Sequence, residues 1–154
     1  MLKITKKIEY ALIVLKYMGE HPANELHSTR EICDKFKLPF DTTAKVMQSM
    51  NHQGLLKSLQ GFKGGYVLST DLKSINFLDF IEIIEGKIPE FFCETAKGGP
   101  CHLTQSCNII TPVDQLNKKV RNYLSLLSLE ELLFENIFEK YNQHLELNVL
   151  KENI

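Results

Sequence analysis

Residues 28–52 leave the chain little choice of fold. Ser28-Thr29-Arg30-Glu31 has the S-x-x-E form of a capping box, in which each side chain satisfies a backbone N–H of the other's residue at a helix start. A short helix is expected over 29–36, with Ile32 and Phe36 turned inward. Residues 37–40 then make a tight turn containing Pro39, and Asp41 is placed to cap a second helix running to about His52. On that helix Val46, Met47 and Met50 recur at core spacing, whereas Thr42, Lys45, Ser49 and His52 step by three, four and three along the other face. Two short helices, a tight turn, and a polar stripe with one lysine and no carboxylate predict a helix-turn-helix.

The flanking segments fit around that unit. Ile8, Ala11, Leu12, Leu15 and Met18 lie at helical spacing over 5–18, with Thr5 as N-cap. Strand-like runs at 55–60 and 66–69 enclose Gly61-Phe62-Lys63-Gly64-Gly65, and glycines that permit positive φ at a turn predict a β-hairpin. A hairpin directly after the second helix of a helix-turn-helix is a wing. A further helix over 76–85 is closed by Gly86. Residues 87–111 show neither helical nor strand period, which is uncommon inside a domain without a functional reason. Pro112, after Thr111, is expected at the first position of a long helix. There Val113, Leu116, Val120, Tyr123 and Leu127 form a near-heptad seam suited to packing against its own copy. Ser128-Leu129-Glu130-Glu131 is a second capping box, opening a last helix. The expected class is mainly α with a small β-wing. A winged helix-turn-helix spans 1–86, a cysteine-bearing loop 87–111, and a dimerisation helix with a C-terminal helix 112–154.

At 154 residues the chain has the length of one domain. Its longest apolar run, 11–15, is far short of the ~20 residues a membrane span requires. Residues 1–7 open polar, with no apolar stretch ahead of a cleavage site, so a cytoplasmic address is expected. The net charge of −1 averages two unlike halves, +4 over residues 1–70 and −5 over 71–154. A basic N-terminal half suggests a module that faces a polyanion.

Cysteines in a reducing compartment do not form a disulfide framework. Cys33 sits beside Ile32 in a helical pattern, as a small buried hydrophobe does. Cys93, Cys101 and Cys107 fall within fifteen residues, and clustered cytosolic thiols point to a metal or redox site. An iron–sulfur cluster suits soft thiolate ligands. The other readings are zinc with His102 as fourth ligand and a thiol switch; Glu94 is also adjacent. The chain has no nucleophile elbow and no phosphate loop, so an enzyme is not expected.

The helix-turn-helix, the Gly61-x-x-Gly64-Gly65-Tyr66 wing, the 75–86 helix ending in Glu-Gly, the cysteine loop and the long helix follow in a fixed order. That order, over about residues 1–135, resembles the bacterial Rrf2 family of winged-helix regulators, in the cluster-binding branch of IscR, NsrR and RirA types. The resemblance implies a homodimer on a palindromic double-stranded DNA operator, with the long helices crossing at the dimer interface. It also implies an iron–sulfur cluster, 2Fe–2S or 4Fe–4S, held by Cys93, Cys101 and Cys107. The cluster's response to redox state, nitric oxide or iron–sulfur supply would switch operator binding.

The spacing Cys93-x7-Cys101-x5-Cys107 has a longer first gap than is common in the family, and Ile110 stands where IscR types carry a histidine. Glu9 matches the acidic residue that, in NsrR-like members, reaches across from the partner subunit as fourth ligand. Its other reading is a solvated carboxylate in the first turn, where the helix dipole favours negative charge. Candidate DNA contacts are Lys3, Lys6, Lys7, Thr42, Thr43, Lys45, Ser49, His52, Lys57, Gln60 and Lys63, with Gln60 in place of a common wing arginine. A cluster-free regulator controlled by thiol oxidation, zinc or a partner protein, as in CymR types, is the alternative.

Overall fold

The first helix, α1 (Lys6–Gly19), is the post around which the other elements pack in this computed structural model. The structure describes residues 4–61, 64–87 and 106–137. Thr5 caps α1 by accepting a hydrogen bond from the Ile8 amide, as expected. Ile8, Ala11, Val14, Leu15, Tyr17 and Met18 are all buried, so the apolar stripe is wide enough to meet neighbours on more than one side.

The helix-turn-helix follows as α2 (Thr29–Phe36) and α3 (Phe40–His52). Both arms of the first capping box form: the Glu31 amide donates to Ser28 Oγ at 3.1 Å, and the Ser28 amide donates to Glu31 Oε2 at 3.4 Å. α2 ends at Lys37, whose φ of 56° is the left-handed conformation that terminates helices. The start of α3 differs from expectation. It begins at Phe40, with Pro39 at the N-cap and no side-chain cap, so Asp41 lies within the first turn. There its charge still complements the helix dipole.

The wing is an antiparallel pair, β1 (Leu56–Leu59) with β2 (Gly65–Leu68), in register Leu56↔Leu68 and Leu59↔Gly65. A third segment closes its edge. His27 in the α1–α2 connection exchanges two backbone hydrogen bonds of 2.9 Å with Tyr66. A Cβ on Gly65 would sit 2.6 Å from the His27 carbonyl oxygen, so this close approach requires glycine. Asn51 near the end of α3 accepts from the Ser58 amide at 2.8 Å, tying the wing to the helix that precedes it.

A 3-10 turn (Leu72–Ser74) leads into α4 (Phe77–Glu85), capped by Asn76 and closed by Gly86 at φ 88°. α5 (Ile110–Leu126) begins two residues before the expected Pro112, which therefore occupies the third position. Proline is tolerated there because a first-turn amide has no intrahelical partner anyway. α6 (Leu129–Phe134) carries the second capping box, Ser128 with Glu131. Backbone bonds from Phe77 to Leu127 (2.7 Å) and from Leu129 to Ile75 (2.9 Å) pin the α5–α6 junction to the start of α4. One core joins α1, α3 and α4 to Leu124, Leu127 and Leu129. Among the described residues no helix is long and apolar enough to cross a membrane.

Candidate functional site

Helical phase decides what α3 presents. Val46, Met47 and Met50 are buried as expected, and Thr43 belongs to the same inward row. Thr43 is fully buried and its hydroxyl donates to the Pro39 carbonyl at 2.9 Å. It holds the turn together, which corrects its reading as a DNA contact. The opposite, outermost row is Asp41, Lys45, Gln48 and His52, all exposed and spaced by four, three and four. Thr42 and Ser49 are half-buried on its flank, and the Ser49 hydroxyl donates back to the Lys45 carbonyl at 3.1 Å.

Two members of that row, Asp41 and Gln48, escaped the sequence reading. The stripe Thr42, Lys45, Ser49 and His52 shares Lys45 and His52 with this row, whereas Thr42 and Ser49 lie roughly a quarter of a turn from its crest. Apolar phasing alone, carried through Thr43, points to the observed row. The face therefore carries a carboxylate acceptor and an amide able to donate and accept, besides the lysine.

Lys57 on β1 and Gln60 just beyond it are exposed on the wing. Lys63 and Lys3 lie outside the described residues. At the start of α1, Lys6 Nζ contacts Glu9 Oε2 at 2.7 Å. That hydrogen bond and the Glu9 charge raise the Lys6 ammonium above the ordinary lysine value. Two residues singled out for different tasks are thus paired with each other. Lys7 instead reaches Glu85 at 3.3 Å, and Thr5 also donates to Glu85. The last turn of α4, directly ahead of the cysteine segment, is thereby tied to the first turn of α1.

Of the three clustered cysteines, Cys93 and Cys101 lie outside the described residues, as do Glu94 and His102. Cys107 is a free, half-buried thiol three residues before α5 begins. Cys33 is buried in α2 against the core, as a structural cysteine would be. Among the described residues no three His, Cys, Asp or Glu side chains are grouped to hold a metal.

Behind the helix-turn-helix lies a partly buried polar knot that no sequence motif announced. Tyr17 Oη donates to Glu31 Oε1 at 2.9 Å, and His27 Nδ1 lies 3.3 Å from the same oxygen. The His27 ring is 1% exposed. Burial pushes the Glu31 carboxyl up, but hydrogen bonds from Tyr17, His27 and the Ser28 amide outweigh it and leave the group below its ordinary value. The knot fixes α1, α2 and the wing edge relative to one another.

Residues 4–135 match the Rrf2 family model, described as iron-dependent transcriptional regulators. The chain belongs to the Rrf2 family. The HTH-type transcriptional regulator NsrR of Shouchella clausii is 22% identical over 70% of this chain and 72% of its own length. NsrR of Bacillus licheniformis is 25% identical over 82% of this chain and 86% of its own. CymR, the global cysteine regulator of Bacillus subtilis, superposes with a TM-score of 0.66 at 24% identity, over 86% of this chain and 97% of that one. That likeness carries the fold. This Rrf2 protein is a DNA-binding transcriptional regulator with a winged helix, and it is not an enzyme.

Proposed function

We propose that this Rrf2 regulator is a homodimer in which Cys93, Cys101 and Cys107 hold an iron–sulfur cluster, with Glu9 of the partner subunit as fourth ligand. Each subunit offers Lys45, Gln48, His52 and the flanking Thr42 and Ser49 on α3 to one half of a palindromic operator, with Lys57 and Gln60 on the wing. Cluster occupancy selects between an operator-binding arrangement and a released one.

The observation that carries this reading is what flanks the cysteine segment in sequence. Ahead of it is α4, whose Glu85 is anchored to Thr5 and Lys7 at the start of α1, and after it is the N-terminal end of α5. A change of state between those two ends would be felt at α1, and so at the helix-turn-helix, and at the long helix. Such a two-ended linkage suits an element with two discrete states. The donor chemistry fits as well: Cys107 is unpaired and outside the core, and three soft thiolates with one carboxylate suit iron better than calcium or magnesium. When bound, the cluster supplies a centre that changes with redox state, nitric oxide or iron supply.

The protein's own residues do the rest. The Lys6–Glu9 pair must open for Glu9 to ligate, which frees the Lys6 ammonium for a phosphate. Dimerisation rests on α5, where Leu116 is 62% exposed and Val120 and Tyr123 continue the same seam. Apolar side chains in that register are unusual on a helix that faces only water.

Anaerobic purification tests the reading. Visible absorption and circular dichroism bands of iron–thiolate bonds, lost with nitric oxide or altered reversibly by dithionite, are the expected result. A colourless protein that still binds its operator overturns the cluster assignment in favour of control by thiols, zinc or a partner protein.

A further inference from the structure

Phe40 is an apolar side chain in an unusual place. It is the first residue of α3, 49% exposed, and it takes no part in the core or in the aromatic contacts that engage nearby Phe36. Phe36, expected to turn inward, is itself 38% exposed and packs edge-on against Tyr17 at 5.5 Å, a ring contact that Phe40 does not share. The local geometry holds Phe40 in position regardless. Lys37 in the left-handed conformation and Pro39 at the N-cap fix the chain entering α3, and the Thr43 hydroxyl bonds back to the Pro39 carbonyl. A half-exposed phenyl ring on a braced helix terminus is held ready for an apolar contact, whose burial would be favourable.

In a helix-turn-helix, the N-terminal residues of the second helix enter the major groove. The apolar feature that DNA offers there is the 5-methyl group of thymine, which apolar side chains, phenylalanine among them, contact directly. Lys45 lies five residues further along α3 and Lys37 three residues ahead of the ring, both exposed.

We infer that Phe40 is a specificity-determining residue that reads a thymine methyl group in each operator half-site. This rests on the reading that α3 is the helix that enters the groove. The ring contributes shape-selective apolar contact, while Lys45 and the wing supply charge. Phe40 thus separates T·A from C·G at one position, a distinction that phosphate contacts cannot make.

The test begins with selection of binding sequences from random duplexes by the full-length, anaerobically purified protein. Each thymine of the enriched operator is then replaced by uracil, which removes the methyl and nothing else. The expected result is a loss of about fourfold at one symmetric position per half-site, the scale of burying a single methyl group. Phe40→Ala should bind the thymine and uracil operators equally, and Phe40→Leu should recover part of the difference. An unchanged thermal melt shows that these variants are folded. An enriched operator with no methyl effect, or the same effect in Phe40→Ala, overturns this inference and leaves the groove-entering role of α3 intact. No enriched sequence at all overturns that role, and this inference with it.

Discussion

Single side chains on α3 illustrate how much depends on phase. Thr42 and Thr43 are neighbours in sequence, yet one is on the flank of the exposed face and the other is fully buried. A shift of one residue is 100° on a helix, enough to turn a base contact into a turn brace. Lys45 stands on the crest whichever way the stripe is phased. It forms no ion pair among the described residues, so its charge is available to DNA. Lys45→Gln is expected to weaken operator binding and to reduce the slope of log K against log salt by about one per half-site, about two for the dimer, measured by titration at several salt concentrations. An unchanged slope would remove Lys45 from the interface.

Glu31 makes a prediction of another kind. Its carboxyl is held below its ordinary value in the folded protein. The ionised form therefore stabilises the fold above the unfolded-state value near 4.5, and that contribution is lost as pH falls through the folded-state value. Glu31→Gln keeps the capping geometry but removes the charge. Wild type should melt higher than this variant at neutral pH, and the difference should vanish as pH falls through the folded-state value. A difference independent of pH would mean that packing, not charge, is what Glu31 contributes.

At the scale of elements, what could be read in advance was what is encoded locally. Both capping boxes, the Thr5 cap and the glycine closing α4 are sequence-adjacent devices, and all four form. The starts of α3 and α5 each lie two residues ahead of the expected positions, because neither uses a side-chain cap. With no Ser, Thr, Asp or Asn engaged at the boundary, the sequence carries no mark of where helix begins. The third edge of the wing was invisible for a different reason. His27 and Tyr66 meet across nearly forty residues, and no local pattern announces such a pairing. The glycine that permits it was noticed as a turn former, whereas its role is to let two backbones touch. Gly65→Ala should therefore destabilise the fold by about 1–3 kcal/mol, as forced overpacking does. The loss should be visible in chemical denaturation and as faster amide exchange at Tyr66. Exchange at Tyr66 equal to wild type would contradict the strain.

For the whole molecule, a helix-turn-helix and wing packed on α1 are joined through α4 to α5, which carries an apolar seam. Leu127 belonged to the expected seam but is buried in the core, so the seam ends where α5 turns into the body. Leu116, Val120 and Tyr123 remain on the outside, with Leu126 beside them at 81% exposure. If that seam is the dimer interface, Leu116→Asp should convert the protein to monomer in sedimentation experiments. Affinity for a two-half-site operator should fall far more than affinity for a single half-site. A dimer undisturbed by aspartate there would move the interface elsewhere.

The cysteine site was legible as a set of donors and not as an arrangement. Thiol count and spacing are sequence properties, whereas a bond from a second subunit is not. Operator affinity measured on one anaerobic preparation, with its cluster intact and after the iron is removed, tests the central claim most directly. The account predicts at least a fivefold difference between the two states, within the usual range of allosteric coupling, and no difference in Cys107→Ser. Equal affinity in both states of the wild-type protein would contradict it.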